Sequence, residues 1–373
     1  MSVTVKTIKP VELSRVERET WIKLRASNPA LYSPYFHPSY TELVGTLKDD
    51  AYVAVISRNG TPVSFFPFQG PRPGKSGFAR PIGAPMTDYH GFIEAPGSGL
   101  DHLSLLKDIG IGAFHFSALT GPLSESHGVL DSGVMMDISK GLDAWRNERD
   151  SSYRRHLKSN RRRIRKAEEE FGPRRFAFKS HDQNIFNDLI NWKREKFYTT
   201  GKYDVLSVDW TMQLLEQLWQ SEDELRCDMH ALYFGEKLAA IDLGLTDGDV
   251  FHSWIVAYDS DLHSLCPGIQ LLEGLIDEAP DLGYSKIDLG AGLNGYKRHY
   301  GTENVQVGSG FIAVKGPAAA LSQLYGHAEE FGKKSLKDAP GKLRRRYSQI
   351  AACDNSFSGR AKAMINAVKT SQK

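Results

Sequence analysis

The feature that most constrains the fold is a strand-turn-strand pattern that occurs twice, about 178 residues apart. Each copy has two apolar runs around a short turn: 51–57 and 62–68 around Asn59-Gly60, and 229–234 and 237–245 around Gly235-Glu236. A glycine-containing turn between two apolar runs is a strong signal for a β-hairpin. The sequence therefore predicts two hairpins in corresponding positions of two similar halves.

The repeat continues beyond the hairpins. Each half goes on with a strand, a helix and a strand, predicted at 89–93, 103–109 and 113–119, and again at 250–257, 267–279 and 285–289. A strand-helix-strand crossover makes its two strands parallel, whereas the hairpin strands are antiparallel. We therefore predict an α/β (α+β) fold with mixed sheets that arose by duplication of one domain. Two unrelated α/β halves are the alternative.

Further helices are predicted over 151–170, ending before Gly172-Pro173, and over 184–199, where apolar residues follow helical spacing. After Val314 the chain becomes helical and basic. We predict an N-terminal domain over 1–145, a C-terminal domain over 146–315 and a basic helical tail over 316–373.

The bulk composition limits the class of protein. The 373 residues carry 47 basic and 45 acidic side chains, so the chain as a whole is not a polycation. Cys227, Cys266 and Cys353 lack CxxC spacing, which argues against a disulfide framework or a zinc site, and we expect no metal. No stretch approaches the roughly 20 apolar residues of a membrane span. We expect a cytoplasmic protein, peripheral to the inner membrane at most.

The start of the helix in the second crossover is suited to an anion. Proline is favoured in a first helical turn, and glycine lets a phosphate approach backbone amides at the positive end of the helix dipole. We predict that Gly268, Ile269 and Gln270 bind an anionic cofactor, mainly through their backbone amides. The alternative is that Pro267-Gly268 only marks a helix start. The helix near Leu103 lacks such a start, so we expect no cofactor site in the first half.

Several short motifs then follow one another in a recognisable order. They are Ser33-Pro34-Tyr35-Phe36, Asp88-Tyr89, the basic helix 153–172, Tyr258-Asp259-Ser260, Pro267-Gly268, Lys286-Ile287-Asp288-Leu289-Gly290 and Gly295-Tyr296-Lys297-Arg298. This order resembles the CelD-like branch of the GNAT acyl-CoA N-acyltransferases, which is associated with cellulose and exopolysaccharide biosynthesis and related to the Fem-type peptidyltransferases. Cys266 stands where that branch usually has serine.

The resemblance implies tandem GNAT domains with acyl-CoA as the co-substrate. In that fold the pantetheine arm pairs with the open backbone of a splayed strand, which points to Val256 and Ala257 here. The pyrophosphate would lie at Cys266, Pro267 and the three residues that follow. The implied activity is direct acyl transfer to an amino sugar, or to another small or lipid-linked precursor of an exopolysaccharide or envelope glycan.

Direct transfer to an amine needs a base and a proton donor for the leaving thiolate. Asp242 and His252 lie within apolar strand runs, where an ionisable side chain costs free energy unless it is paired. We take His252 as the leading base, with Asp242 orienting it or binding the amine, and Tyr258 as the proton donor. The alternatives are a partnered structural pair for the first two and simple packing for Tyr258.

A glycine-rich loop follows the last strand of the second half. The residues assigned there to the acceptor are Asp288, Tyr296, Lys297, Arg298 and Tyr300. The cations could bind phosphates of a nucleotide-sugar or lipid-linked acceptor. A solvated basic loop, and an Asp288 that caps the loop, are the alternatives.

The helix over 151–170 carries eight Lys and Arg residues between Arg154 and Lys166, which we interpret as spread around the helix. A solvated or interdomain face is the ordinary role of such a run, and the functional roles are binding of a phosphorylated acceptor, of anionic lipid or of RNA. We expect no sequence-specific nucleic-acid binding. Two other functions stay open: Fem-type transfer from aminoacyl-tRNA, and a non-catalytic protein that binds anionic membranes or nucleic acid.

Overall fold

The computed structural model describes residues 2–293, 295–335, 346–347 and 349–353. The strands are β1 (Val3–Ile8), β2 (Ala51–Arg58), β3 (Thr61–Gln69), β4 (Gly77–Pro81), β5 (Ile93–Glu94), β6 (Ile111–Leu119), β7 (Gly128–Asp137), β8 (Arg174–Ala177), β9 (Arg226–Phe234), β10 (Lys237–Asp247), β11 (Val250–Tyr258), β12 (Lys286–Ala291) and β13 (Glu303–Ala313). The helices are α1 (Arg15–Ser27), α2 (Pro38–Leu47), α3 (His102–Ile109), α4 (Pro122–His127), α5 (Leu142–Asn147), α6 (Ser151–Phe171), α7 (Gln183–Thr199), α8 (Asp209–Trp219), α9 (Pro267–Leu282) and α10 (Gly316–Ser335).

Packing groups the chain into two compact units. The first unit comprises Met1–Asp131, Tyr198–Leu214 and Gln306–Lys373, and the second comprises Ser132–Phe197 and Leu215–Val305. Most of the predicted basic tail beyond Ser335 lies outside the described residues. Within the part of the chain that is described, no helix combines the length and the apolar character needed to cross a bilayer.

The first unit is built on strands in the order β1-β2-β3-β4-β6-β13. All of these pairs are antiparallel except β4 and β6, which are parallel and are connected through α3. Its core is rich in aromatic side chains, among them Phe66, Phe68, Phe92 and Phe114. Stacked and edge-to-face rings of this kind fill the space between sheet and helix.

The second unit repeats this plan with strands in the order β7-β12-β11-β10-β9-β8. Again one pair is parallel, β11 with β12, and a helix, α9, connects the two strands. Phe251 and Ile287 on these strands pack with Leu275 of α9 and Tyr153 of α6. The predicted α/β class, with mixed sheets in two similar halves, is confirmed.

Most predicted elements lie within a few residues of their observed positions, but the third strand of the first half was predicted wrongly. The strand that pairs in parallel with β6 over several residues is β4, whereas the segment 89–93 reaches β6 through the isolated parallel bridge of His90 with Leu119. The chain around β4 is rich in proline and glycine, which locally favour a loop, so pairing with β6 is what makes this segment a strand.

Each unit completes its sheet with a strand from the other half of the sequence. Residues 132–137 of β7 pair with β12, and residues 306–313 of β13 pair with β6. The two compact units follow this exchange of strands and not the order of the repeats along the chain. The domain bounds 1–145, 146–315 and 316–373 stay a prediction.

In the first unit, the chain itself occupies the space beside the end of β6. His90 forms a parallel bridge with Leu119, and its carbonyl accepts hydrogen bonds from the Thr120 amide at 2.9 Å and the Thr120 hydroxyl at 3.2 Å. At the start of α3, the Asp101 carboxylate accepts from the Ser104 amide at 3.2 Å. A carboxylate there disfavours a second anion. That the first half holds no acyl-CoA stays a prediction.

A substitution at Gly244 of β10 would test how tightly β10 packs against β11 in the second unit. A Cβ atom at this position would overlap the Phe251 ring and lie 2.8 Å from the His252 carbonyl oxygen. We expect Gly244→Ala to lower the free energy of unfolding by about 2 kcal/mol, because overpacking forces neighbouring groups to move. Urea unfolding checks this. Gly77→Ala is the control, since its Cβ would meet nothing closer than Pro71 at 3.5 Å. Equal effects of the two substitutions would contradict the packing.

Candidate active site

The strands β11 and β12 separate after a short common stretch. They pair in parallel at Val250 with Lys286, Phe251 with Ile287, and His252 with Asp288, as the only ladder pairs between two fully described strands. Beyond that point β11 continues to Tyr258 and β12 to Ala291 without pairing to each other. Beyond His252, the edge of β11 that would face β12 therefore has backbone groups that an extended ligand could pair with.

A lysine from α7 reaches the separated part of β11. The Nζ atom of Lys193 donates a hydrogen bond to the carbonyl oxygen of Val256 at 3.2 Å. The side chain of Ala257 is buried. Val256 is one of the two residues predicted to pair with pantetheine. Its carbonyl oxygen already accepts a hydrogen bond from Lys193, and an incoming amide would have to replace that lysine.

The start of α9 lies against the end of β11. Cys266 is the N-cap in a left-handed conformation, with φ 53°, and Pro267 follows in the first turn. A Cβ atom placed on Gly268 would have ordinary contacts only, 3.8 Å to Tyr258 Cδ1 and 3.9 Å to Val256 Cγ1. Packing within the protein therefore does not require glycine at this position, and the space in front of it is available to a ligand.

The amides of this turn are not equally available. Those of Ile269 and Gln270 donate to the Cys266 carbonyl at 3.1 and 3.3 Å, whereas that of Gly268 has no acceptor among the described residues. The side-chain amide of Gln270, fully buried, donates to the Leu265 carbonyl at 2.6 Å and so fixes the preceding turn. The expectation of three free amides thus reduces to one, at Gly268.

Asp242 is a buried carboxyl group with one oxygen bonded and one not. The Ser253 hydroxyl donates to Oδ2 at 2.7 Å, and Oδ1 has no partner in the described part of the chain. Asp242 pairs across the sheet with Val256, whose side chain faces Gly268. Burial raises the pKa of Asp242 to about 7, opposed by the Ser253 hydrogen bond and the charges of His252 and Lys193. Such a group can accept a proton near neutral pH.

His252 is paired differently from the prediction. Its Nδ1 atom lies 3.4 Å from Asp288 Oδ2 on the neighbouring strand, and both side chains are completely buried. The other Asp288 oxygen accepts from the Gly290 amide at 2.7 Å. The structure thus places His252 against Asp288, while the charge of His252 also acts on Asp242, so the orienting role of Asp242 stays a prediction. The roles of His252 as base and Asp288 as an acceptor contact stay predictions, although neither group is exposed.

Two tyrosines flank the separated strands. The Tyr258 hydroxyl lies 3.1 Å from His263 Nδ1 in the turn before α9, and the two rings stack. Tyr296 follows β12, and 36% of it is exposed. Burial of its phenol and the nearby carboxylate of Asp242 raise the pKa of Tyr296 to about 12, so it stays a neutral hydrogen-bond donor. The structure thus brings Asp242 and Tyr296 near one another.

The remaining predicted acceptor residues separate into exposed and buried groups. Arg298 is exposed, and Lys297 Nζ donates to the Ala291 carbonyl at 3.2 Å. Tyr300 is completely buried, and its hydroxyl donates to Glu273 at 2.5 Å. Burial raises the pKa of Glu273 to about 7, and the Tyr300 hydrogen bond opposes this. Tyr300 therefore anchors the loop to α9. Asn294 of this loop lies outside the described residues.

Sequence reasoning missed Lys193, Ser253 and Glu273. Lys193 and Glu273 lie on predicted helices, where a single charged residue gives no signal of its own. Ser253 follows His252 directly, and the alternation of strand faces could have drawn attention to it as a neighbour of an acidic group on the adjacent strand.

Comparison with protein families matches residues 152–298 to the family described as Acetyltransferase (GNAT) domain. The match contains β9 to β12, the separated strands and α9. This segment is similar to the acetyltransferase domains of the GNAT family. It covers less than half of the chain. A search of curated proteins found no match.

Solved structures with a similar arrangement differ widely in sequence. FemX is 10% identical, with 86% of this chain and 99% of that chain covered and a TM-score of 0.49. A tandem GNAT protein from the clavulanic acid biosynthesis pathway is 9% identical, with 84% and 99% covered and a TM-score of 0.47. The L-PGS of Bacillus licheniformis is 11% identical, with 84% and 96% covered and a TM-score of 0.42.

The raised pKa of the buried Asp242 carboxyl group can be tested through the pH dependence of the free energy of unfolding. A group whose pKa is raised in the folded state loses stability as pH rises through that pKa. We expect Asp242→Asn to raise the free energy of unfolding by about 2 to 4 kcal/mol at pH 8, with the gain shrinking below pH 7 and absent near pH 4. Urea unfolding across this range measures it. A gain that did not change with pH would mean that the pKa of Asp242 is the same in the folded and the unfolded protein.

Proposed function

We propose that the protein is an acyl-CoA-dependent N-acyltransferase that transfers the acyl group directly to an amine. The observation that carries the proposal is the separation of β11 from β12 beyond His252 and Asp288, next to the start of α9. An extended amide-bearing arm can pair with such an open edge. The match of this region to the GNAT acetyltransferase family supports the same reading.

The residues around α9 fit the polar half of a CoA molecule. The Gly268 amide has no acceptor among the described residues, and the helix dipole adds a partial positive charge there. Cys266 and Pro267 shape the turn, while Gln270 holds the preceding loop through Leu265. Lys193 is placed to exchange its bond to the Val256 carbonyl for one to the bound co-substrate.

We assign to the side chains one proton acceptor, which deprotonates the amine, and one proton donor, which protonates the leaving sulfur. Acyl-CoA supplies the acyl group as a thioester when bound. Asp242 takes a proton from the acceptor ammonium group, which frees the nitrogen lone pair to form the new C–N bond as the C–S bond breaks. Tyr258, whose hydroxyl lies next to His263, donates a proton to the leaving sulfur, the new amide nitrogen loses its second proton to solvent, and Tyr258 regains a proton from solvent. We assign the role of base to Asp242, since His252 is buried against Asp288.

For the acceptor, the resemblance to the CelD-like branch supports an amino sugar or another precursor of an exopolysaccharide or envelope glycan. The loop after β12 supplies the contacts: the Tyr296 hydroxyl beside Asp242, and the cations Lys297 and Arg298 for an attached phosphate. No specific observation favours an aminoacyl-tRNA donor over acyl-CoA.

Gly268→Ala tests the donor site. We expect it to fold with unchanged or slightly higher stability, because alanine is the better helix former. A methyl group in front of the Gly268 amide should weaken acetyl-CoA binding by about tenfold or more. Isothermal titration calorimetry with acetyl-CoA and longer acyl-CoAs measures this, and wild type should bind one molecule per chain.

Gly77→Ala in β4 is the matched control, and it should leave acyl-CoA binding unchanged. Absence of binding heat with every acyl-CoA would overturn the proposed donor and favour the Fem-type alternative. Two molecules bound per chain would overturn the assignment of the site to the second unit alone.

The pH dependence of the reaction tests Asp242. Because the base must be ionised, kcat/KM should fall about tenfold per pH unit below the pKa of about 7. Ser253→Ala removes a hydrogen bond that lowers this pKa, so it should move the acid limb to higher pH. Asp242→Asn should lower kcat by about a hundredfold or more and abolish the limb. Release of free thiol with amino-sugar acceptors is the readout. An unmoved acid limb in both variants would exclude Asp242 as the base.

A further inference from the structure

The basic helix α6 is divided into two opposite faces. Tyr153, Asn160 and Ala167, seven residues apart, are buried in the second unit. Seven of the eight cations are exposed: Arg154, Arg155, Lys158, Arg161, Arg162, Arg165 and Lys166. At 3.6 residues per turn these seven lie within an arc of about 140° directly opposite the buried residues and span about 18 Å. We call this set the basic face. The cations are thus confined to one side and not spread around the helix.

Among the described residues the basic face lacks close acidic partners, although the charges of Arg155 and Arg161 act on Asp150 and Glu273. Within the described chain, none of its seven side chains forms an ion pair or a hydrogen bond, whereas Arg163, the eighth cation, donates to Asn160 Oδ1 at 3.1 Å. Several members are four residues apart, as Arg154 and Lys158 are, and like charges at this spacing destabilise a helix. The acidic residues of α6 are confined to its last turn, Glu168 to Glu170. A polyanion outside the protein would relieve this repulsion.

The composition of the basic face selects among polyanions. All seven of its side chains are Arg or Lys, so the basic face contains no aromatic side chain that could stack on a base. It also contains no large apolar side chain that could enter a bilayer. What remains is charge on a convex helix side, whose long side chains can all reach one plane. An anionic phospholipid headgroup layer offers such a plane.

We propose that the basic face of α6 docks the second unit on an anionic phospholipid surface by charge alone. This docking does not depend on the acyl-transfer chemistry. It has one consequence for the site, which rests on the proposed function. The His156 ring of α6 stacks on His299 at 4.8 Å, and Ser152 lies 2.8 Å from the same histidine. The acceptor loop that carries Arg298 is therefore attached to the docking helix.

Vesicle sedimentation of the full-length protein tests the proposal. Vesicles of phosphatidylcholine with about 30% phosphatidylglycerol should bind wild type at about 50 mM salt and release it at about 500 mM, and pure phosphatidylcholine should not bind. Arg161→Glu with Arg165→Glu should lower the partition coefficient by about thirtyfold or more. The control, Lys23→Glu with Lys140→Glu, makes the same charge change at exposed lysines outside α6 and should have an effect below about threefold.

Three outcomes would overturn the docking: no binding of wild type to the anionic vesicles, equal loss in the variant and the control, or tighter binding of tRNA or duplex DNA than of vesicles through the same residues. Thermal melting followed by circular dichroism checks that the variant folds. If it does not, Arg161→Gln with Arg165→Gln replaces it, with a loss of about fivefold or more expected. Acetyl-CoA titration of the same variants should give wild-type affinity, so failure of the docking and failure of the proposed donor site are separable.

Discussion

Three pairs of residues hold β11 to β12, and the last of them, His252 with Asp288, is a polar pair buried completely in the sheet. Buried ionisable groups need a partner, and this requirement fixes where the two strands must still touch. Beyond the pair they are free to separate. The opening between β11 and β12 follows from where that contact ends, and the register of β11 against β10 places Asp242 opposite Val256 beside it.

The elements that could be predicted are those specified by neighbouring residues. Asn59-Gly60 marks a hairpin, Pro267 begins α9, and Gly172 ends α6, all as observed. The pairing of His252 could not be predicted, because register depends on contacts distant in sequence. A bulge between Leu243 and Gly244 changes the register of β11 against β10. His252 therefore pairs with Asp288 of β12.

The same limit explains the remaining differences at the site. The cations of α6 were visible in the sequence, but their confinement to one side depends on which residues the second unit buries. Lys193 is one lysine among many until α7 brings it to Val256. Residue types in the site could therefore be predicted in part, whereas their contacts required the packed structure.

The exchange of β7 and β13 determines the order in which the chain can become structured during synthesis. Ala113 of β6 pairs with Ala313 of β13, so β6 has an unpaired edge until nearly the whole described chain has left the ribosome. Pairings this distant in sequence form slowly. A nascent first unit would thus remain open to association with other chains for most of its synthesis, which makes early binding by a chaperone advantageous for this protein.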